Sequence, residues 1–222
     1  MSNAILFGSI GTIADTSELQ RKAFNKAFEQ HSLDWEWSQE EYRTLLESSG
    51  GQQRIEDYAS SRGDVVEAAA VHKTKSELFQ KFLDEETVEP RPGVTSLLEK
   101  AKAEGMSVAL VTTTSAENVS SMLKALGKSL STSDFDVVVN AADVSKTKPA
   151  KEAYCYVLEQ LNQKADSCIA IEDNVDGVEA AVAADIQCLA FPNQNTAHHD
   201  FGKAAKKVDS LDLEQMKLLL AA

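Results

Sequence analysis

The sequence predicts an α/β fold, a parallel sheet with an all-helical segment inserted after its first strand. Five short apolar runs are continuous rather than alternating, as expected of strands covered on both faces. Helical patterns lie between the last four runs, which is the spacing of βαβ units. About 100 residues separate the first run from the second, far more than a crossover needs.

The runs occupy residues 4–7, 108–111, 136–139, 168–171 and 188–191. After the first, residues 17–87 contain no convincing strand pattern but several amphipathic stretches, at 18–29, 39–47, 53–59 and 65–83, which read as a helical cap. Trp35 and Trp37 fall in this segment and read as cap packing. Pro90-Arg91-Pro92-Gly93 marks the return to the sheet, and residues 94–104 form a helix closed by Gly105. Further helices are expected at 116–126, ended by Gly127, at 150–161, opened by Pro149, and at 177–184. The expected division is a core of residues 1–15 and 88–222 and a cap of residues 16–87.

With 222 residues, 43% hydrophobic and 26% charged, the chain is long enough for one sizeable core carrying one inserted subdomain. A net charge of −13 opposes nucleic acid or an acidic membrane as partner, because both would repel it. No run approaches the ~18 apolar residues of a membrane span, and residues 4–7 lack the basic flank and length of a secretory signal. The expected location is the cytoplasm. Cys155, Cys168 and Cys188 are odd in number and lack CxxC spacing, so they read as free thiols in a reducing compartment rather than metal ligands.

In an open parallel sheet, ligands bind just beyond the carboxyl ends of the strands, so the residues after each run carry the chemistry. These are Gly8-Ser9-Ile10-Gly11-Thr12, then Thr112-Thr113-Thr114-Ser115, then Lys146-Thr147-Lys148-Pro149, then Glu172-Asp173-Asn174. Hydroxyls, a lysine and an acidic pair meet at one edge. The combination suits a phosphate: hydroxyls and loop amides donate to its oxygens, a lysine neutralises charge, and carboxylates hold a divalent ion. Taken singly, Lys148 reads as a solvated surface lysine, and Glu172-Asp173 reads equally as a helix N-terminal cap. The four features together, in strand order, carry the phosphate reading.

These residues resemble the motifs of the haloacid-dehalogenase-type phosphatases, with Asp-x-Asp-Gly-Thr after the first strand, a Thr or Ser after the second, a Lys, and a closing acidic pair. Here the motifs fall on residues 7–12, on Thr112, on Lys148-Pro149, and on Glu172-Asp173 with Gly177 and Ala180-Ala181. The chain is similar in particular to CbbY-type sugar-phosphate phosphatases and phosphoglycolate-phosphatase-like proteins. That similarity runs through Arg91-Pro92-Gly93-Val94, through Val111-Thr112-Thr113-Thr114 with Glu117-Asn118-Val119, and through Gly50-Gly51 followed by Arg54. It covers nearly the whole chain and implies a Rossmann-like core, a helical cap closing over a phosphorylated sugar, Mg²⁺ and a phosphoaspartyl intermediate. Hinges for that closure are expected near residues 15–17 and 87–90. The resemblance also implies catalytic roles for Thr112 and Lys148, substrate contacts from Gly50, Gly51, Arg54, Lys75 and Thr113, and metal ligation by Glu172 and Asp173.

Two positions depart from the family pattern. Gly8 stands at the place of the nucleophilic aspartate and Ile10 at that of the aspartate serving as acid and base, while Ser17 and Gln20 stand where close relatives more often have Glu and His. Covalent phosphoryl transfer needs an oxygen nucleophile in line with phosphorus, which glycine cannot supply, and isoleucine cannot move a proton. Losing both groups costs on the order of 10³ to 10⁶ in rate. With no carboxylate from the first motif, Mg²⁺ binding is expected to be weak or absent.

The expectation is a catalytically impaired relative, a pseudoenzyme, that binds a phosphorylated sugar, phosphate or a protein partner. The alternative is an active Mg²⁺-dependent phosphatase or hydrolase of small phosphorylated metabolites that uses Asp15, Ser9 or a water activated by Asp173. Ser9 is expected to point away from the phosphate, since side chains alternate along a strand end, and Asp15 also suits a helix N-cap. A folded relative with no ligand is the third reading. His198-His199 lie in a late loop and read as solvated rather than metal-binding.

Overall fold

Strand β1 (Ala4–Gly8) lies at the middle of the sheet, hydrogen-bonded on one side to β2 (Ser107–Val111) and on the other to β4 (Cys168–Glu172). The computed structural model describes residues 3–8, 10–127 and 129–221. With β3 (Val137–Val139), β5 (Gln187–Ala190) and β6 (Lys206–Lys207), the six strands run in the order β3-β2-β1-β4-β5-β6 and all pair in parallel. The strand order reverses at β1. Gly8 is in register with Val111, and Phe7 with both Leu110 and Ile171. The ends of β1, β2 and β4 therefore open onto one crevice.

The continuity of the apolar runs has a direct cause. Alternate residues of β1, β2, β4 and β5 feed two separate buried clusters, one on each face. One face carries Ile5, Phe7, Leu110, Ile169, Ile171 and Leu189. The other is built largely of small residues, with Ala4, Ala109, Cys168, Ala170, Cys188 and Ala190 packed against Ala153, Ala180 and Ala181. Those three alanines lie on α8 (Glu152–Leu161) and α9 (Val175–Ala183), and small residues on both sides permit close approach of helix and sheet. Cys168 and Cys188 are buried free thiols that act as small apolar side chains, and Cys155 is half-buried.

The segment between β1 and β2 is helical, as the sequence predicts. It contains α1 (Ile10–Ile13), α2 (Ser17–Gln30), α3 (Gln39–Leu45), α4 (Gly51–Arg62), α5 (Ala68–Glu85) and α6 (Val94–Ala103), the last packing on the sheet. Helices α2 to α5 surround a core of their own, in which Trp37 meets Phe28 and Phe24 at ring-centroid distances of 4.7 and 4.8 Å. Trp35 and Trp37 are thus packing residues. Phe79 and Leu83 of α5 join the main core, so the insertion is continuous with the sheet's apolar interior. The remaining helices are α7 (Ala116–Ala125) and α10 (Leu213–Leu220). No helix among the described residues is long and apolar enough to cross a membrane.

Several boundaries differ from the sequence reading. Residue 136 is not part of β3, although Asp136 bonds Val108 through both its amide and its carboxylate. The strand β5 stops at Ala190, and Phe191 continues the ladder by a single bond to Glu172 O at 2.7 Å. Helix α4 extends to Arg62 and is closed by Gly63 at φ 74°, the left-handed C-cap that glycine adopts at no steric cost. Helix α5 begins at Ala68 rather than 65, because Asp64 is held by Trp35 Nε1 and Arg62 and Val65 projects fully into solvent. The sequence reading contained neither β6, α1 nor α10, although Asp212 caps α10 by accepting from Glu214 N.

Candidate functional site

Beyond the strand ends, the sheet and the inserted helices enclose a cavity of about 540 Å³. Its lower wall includes Ile10, Gly11, Thr112, Thr113 and Asp173, and its upper wall includes Gly50, Gly51, Arg54 and Lys75. Seven of the residues singled out by the sequence therefore border one space: Thr112, Thr113, Asp173, Gly50, Gly51, Arg54 and Lys75. Glu172 and Lys148 do not. They lie beneath the floor, essentially without exposure.

The floor is built around Glu172. Lys148 Nζ donates to Glu172 Oε1 at 2.5 Å and to Val111 O at 2.7 Å, and Tyr154 OH donates to the same Oε1 at 2.6 Å. Oε2 is buried and has no hydrogen-bond partner among the described residues. Burial drives the Glu172 carboxyl above its usual range, and the Lys148 ammonium opposes that shift. A Cβ built on Gly8 or on Gly177 would overlap this carboxyl group. The Glu172 head thus fills the space that a side chain at position 8 would occupy.

Asp173 is arranged in a parallel way. Its Oδ1 accepts from Thr12 Oγ1 at 3.2 Å and from Asn174 Nδ2 at 3.3 Å, and a Cβ on Gly11 would overlap its carboxylate. Neither acidic residue caps α9; Asn174 does, accepting from Gly177 N at 2.8 Å. After β2, Thr112 is buried and accepts from Thr114 N at 3.2 Å, and Ser115 caps α7 by accepting from Asn118 N.

On the upper wall, Arg54 is engaged by backbone: Nε donates to Leu45 O at 2.7 Å and Nη2 to Ser48 O at 2.6 Å. These bonds shape the turn from α3 into α4, where Gly50 stands at φ 93°. Gly51 leaves room for His72, whose ring a Cβ there would overlap. Lys75 is buried, with Nζ 2.9 Å from Gln20 Oε1 and over the rings of Phe24 and Phe79 at 4.7 and 5.1 Å. Burial, with repulsion from Arg54, lowers Lys75 to about 7, since the aromatic faces only partly replace lost water. Burial, Lys75 and Arg54 lower His72 to about 4, so its imidazole is neutral at pH 7.

The other sequence candidates fall elsewhere. Ser9 lies outside the described residues. Asp15 is exposed, does not border the cavity and accepts from Ser17 N at 3.1 Å. The helix it was expected to cap has Thr16 at its N-cap position instead. His199, expected to be solvated, is 7% exposed, because the loop folds it beneath Arg43. Sequence reasoning also gave no task to Arg91. Its guanidinium donates to Gly11 O, Phe191 O and Pro192 O at 3.1, 2.7 and 2.8 Å and stacks 3.7 Å over Phe191, tying α1 to the segment that follows β5. The signal was present: an arginine that precedes a proline has a restricted backbone and five donors to place.

The family model for haloacid dehalogenase-like hydrolases matches residues 5–191. Protein CbbY of Cereibacter sphaeroides is 36% identical over 213 residues, covering 95% of this chain and 93% of that one. The crystal structure of CbbY from Rhodobacter sphaeroides in complex with phosphate superposes with a TM-score of 0.86 at 35% identity, covering 95% of each chain. The same values hold for a mutant of that protein crystallised with xylulose-1,5-bisphosphate. Sequence, sheet order and the crevice at β1 agree: the chain belongs to the haloacid dehalogenase-like hydrolase family, in a CbbY-like form.

Proposed function

We propose that this protein binds a phosphorylated sugar between the inserted helices and the sheet without hydrolysing it through a phosphoaspartyl intermediate. The observation that carries the reading is Glu172. Its carboxyl group, fully buried and held by Lys148 and Tyr154, occupies the space that the Cβ of any side chain at position 8 would need, and Gly8 itself offers no nucleophile. Ile10, 6% exposed at the cavity floor, has no proton to exchange.

Binding chemistry is nonetheless in place. Thr112 and Thr113 offer hydroxyls at the floor, Arg54 offers positive charge at the roof with the Lys75 amine beside it, and the cavity suits a small polar ligand. Relatives support the ligand class, since CbbY was crystallised with phosphate and with xylulose-1,5-bisphosphate. Residues 16–87 act as a cap over a core of residues 1–15 and 88–222. Mg²⁺, which the family resemblance implies, fits poorly: one Glu172 oxygen is already neutralised by Lys148, and Gly8 and Ile10 add no side-chain oxygen. Asp173 remains as a ligand, too little for tight octahedral binding.

Isothermal titration calorimetry with xylulose-1,5-bisphosphate and with inorganic phosphate tests the binding half. Saturable binding with no phosphate released, weakened at least tenfold in Lys75→Met, is the expected result. No heat from any sugar phosphate or from phosphate would remove the ligand and leave a protein partner as the surviving role.

A further inference from the structure

Three side chains with no task so far meet where the inserted helices touch the loop after β5. Glu47, His198 and His199 each offer one ligand atom, and these atoms lie within 4.8 Å of one another, the one such trio among the described residues. Glu47 and His198 are exposed, and His199 is 7% exposed. His199 Nε2 lies 3.3 Å from Arg43 O, and a carbonyl only accepts, so the ring proton sits on Nε2 and Nδ1 carries the lone pair. That Nδ1 is buried and has no hydrogen-bond partner among the described residues. A buried acceptor without a donor is costly unless a cation meets it.

We propose that Glu47, His198 and His199 form a zinc site that latches the inserted helices to the sheet. Two imidazoles and one carboxylate suit Zn²⁺, whereas Mg²⁺ and Ca²⁺ prefer oxygen throughout. Tetrahedral bonds of ~2.05 Å bring donors to about 3.3 Å apart, a contraction that the exposed Glu47 and His198 side chains make by rotation. Water completes the fourth position. The buried ligand is already oriented, by Arg43 O on its other nitrogen and by His199 N donating to Thr196 O at 3.0 Å.

The consequence follows from position. Leu46 and Ser48, on either side of Glu47, line the roof of the cavity, and Thr196, two residues before His198, lines the opposite side. One ion would fix these walls together. The two sides already touch through Arg43 Nε to Asn195 Oδ1 at 3.3 Å and Ser49 N to Asp176 Oδ2 at 2.6 Å, so the ion reinforces an existing contact. The site holds whether or not the cavity turns over a substrate.

The full-length protein is titrated with Zn²⁺ by calorimetry, and its Co²⁺ form is examined by visible absorption. One equivalent of Zn²⁺ and an intense tetrahedral Co²⁺ band are expected, with at least tenfold weaker binding in His198→Ala and in Glu47→Gln and no change in His31→Ala. Both altered side chains are exposed, so these variants keep the fold. Zinc should also raise the melting temperature and slow proteolysis near residue 47 in the natural protein but not in His198→Ala. No binding at millimolar zinc, or equal binding in the Glu47→Gln/His198→Ala double variant, overturns the site; binding without added stability overturns the latch.

Discussion

Glu172 is the side chain on which the site turns. It is fully buried, its Oε1 takes the Lys148 ammonium and the Tyr154 hydroxyl, and it fills the room above Gly8 and Gly177. Breaking a buried ion pair from one side leaves the other charge uncompensated, so Glu172→Gln should lower stability by roughly 3–5 kcal/mol in urea denaturation. Lys75 gives a second test. Its folded pKa near 7 lies below the 10.5 of an exposed lysine, so between these values the unfolded chain holds a proton that the folded chain has lost. Stability from this group is therefore full above 10.5 and is lost as pH falls through 7. Lys75→Met should flatten the rise in stability between pH 7 and 9.5 by an amount on the order of a few kcal/mol. That Thr112, Thr113 and Asp173 stand together at the sheet edge was legible in the sequence, as was the lack of a carboxylate at positions 8 and 10. That Glu172 turns into the space over Gly8 was not, because strand spacing fixes where a residue stands but not how its side chain resolves a shared volume.

Among the elements, the inserted helices stand on their own aromatic core. Trp37 is fully buried against Phe24, Phe28, Tyr42 and Tyr58. Trp37→Ala should cost roughly 3–5 kcal/mol and loosen α2 to α5 before the sheet, which hydrogen exchange would show as early loss of protection in residues 17–85. The existence of these helices was legible from amphipathic periodicity, but their ends were not. Helix α5 starts three residues later than its pattern, since Asp64 is drawn to Arg62 and to Trp35, the latter 29 positions away and outside a local window. The expected solvation of His199 failed for the same reason. Its burial depends on Arg43, 156 positions away.

At the scale of the whole molecule, the parallel sheet followed from continuous runs, a consequence of two buried faces, and the helical insertion followed from one overlong connection. The reversal of strand order at β1 sets Thr112, Asp173 and the roof residues around one cavity, with Gly8 at the end of β1 beneath the Glu172 carboxyl group. The proposed function rests on the lack of a carboxylate at positions 8 and 10, and one measurement addresses it: phosphate release from sugar mono- and bisphosphates with Mg²⁺, for the natural protein beside a Gly8→Asp/Ile10→Asp variant. The natural protein should release none above background, while the variant, once Glu172 yields the space, turns over slowly. Release by the natural protein at ordinary enzymic rates, about 1 s⁻¹ or more, would contradict the account and require another nucleophile.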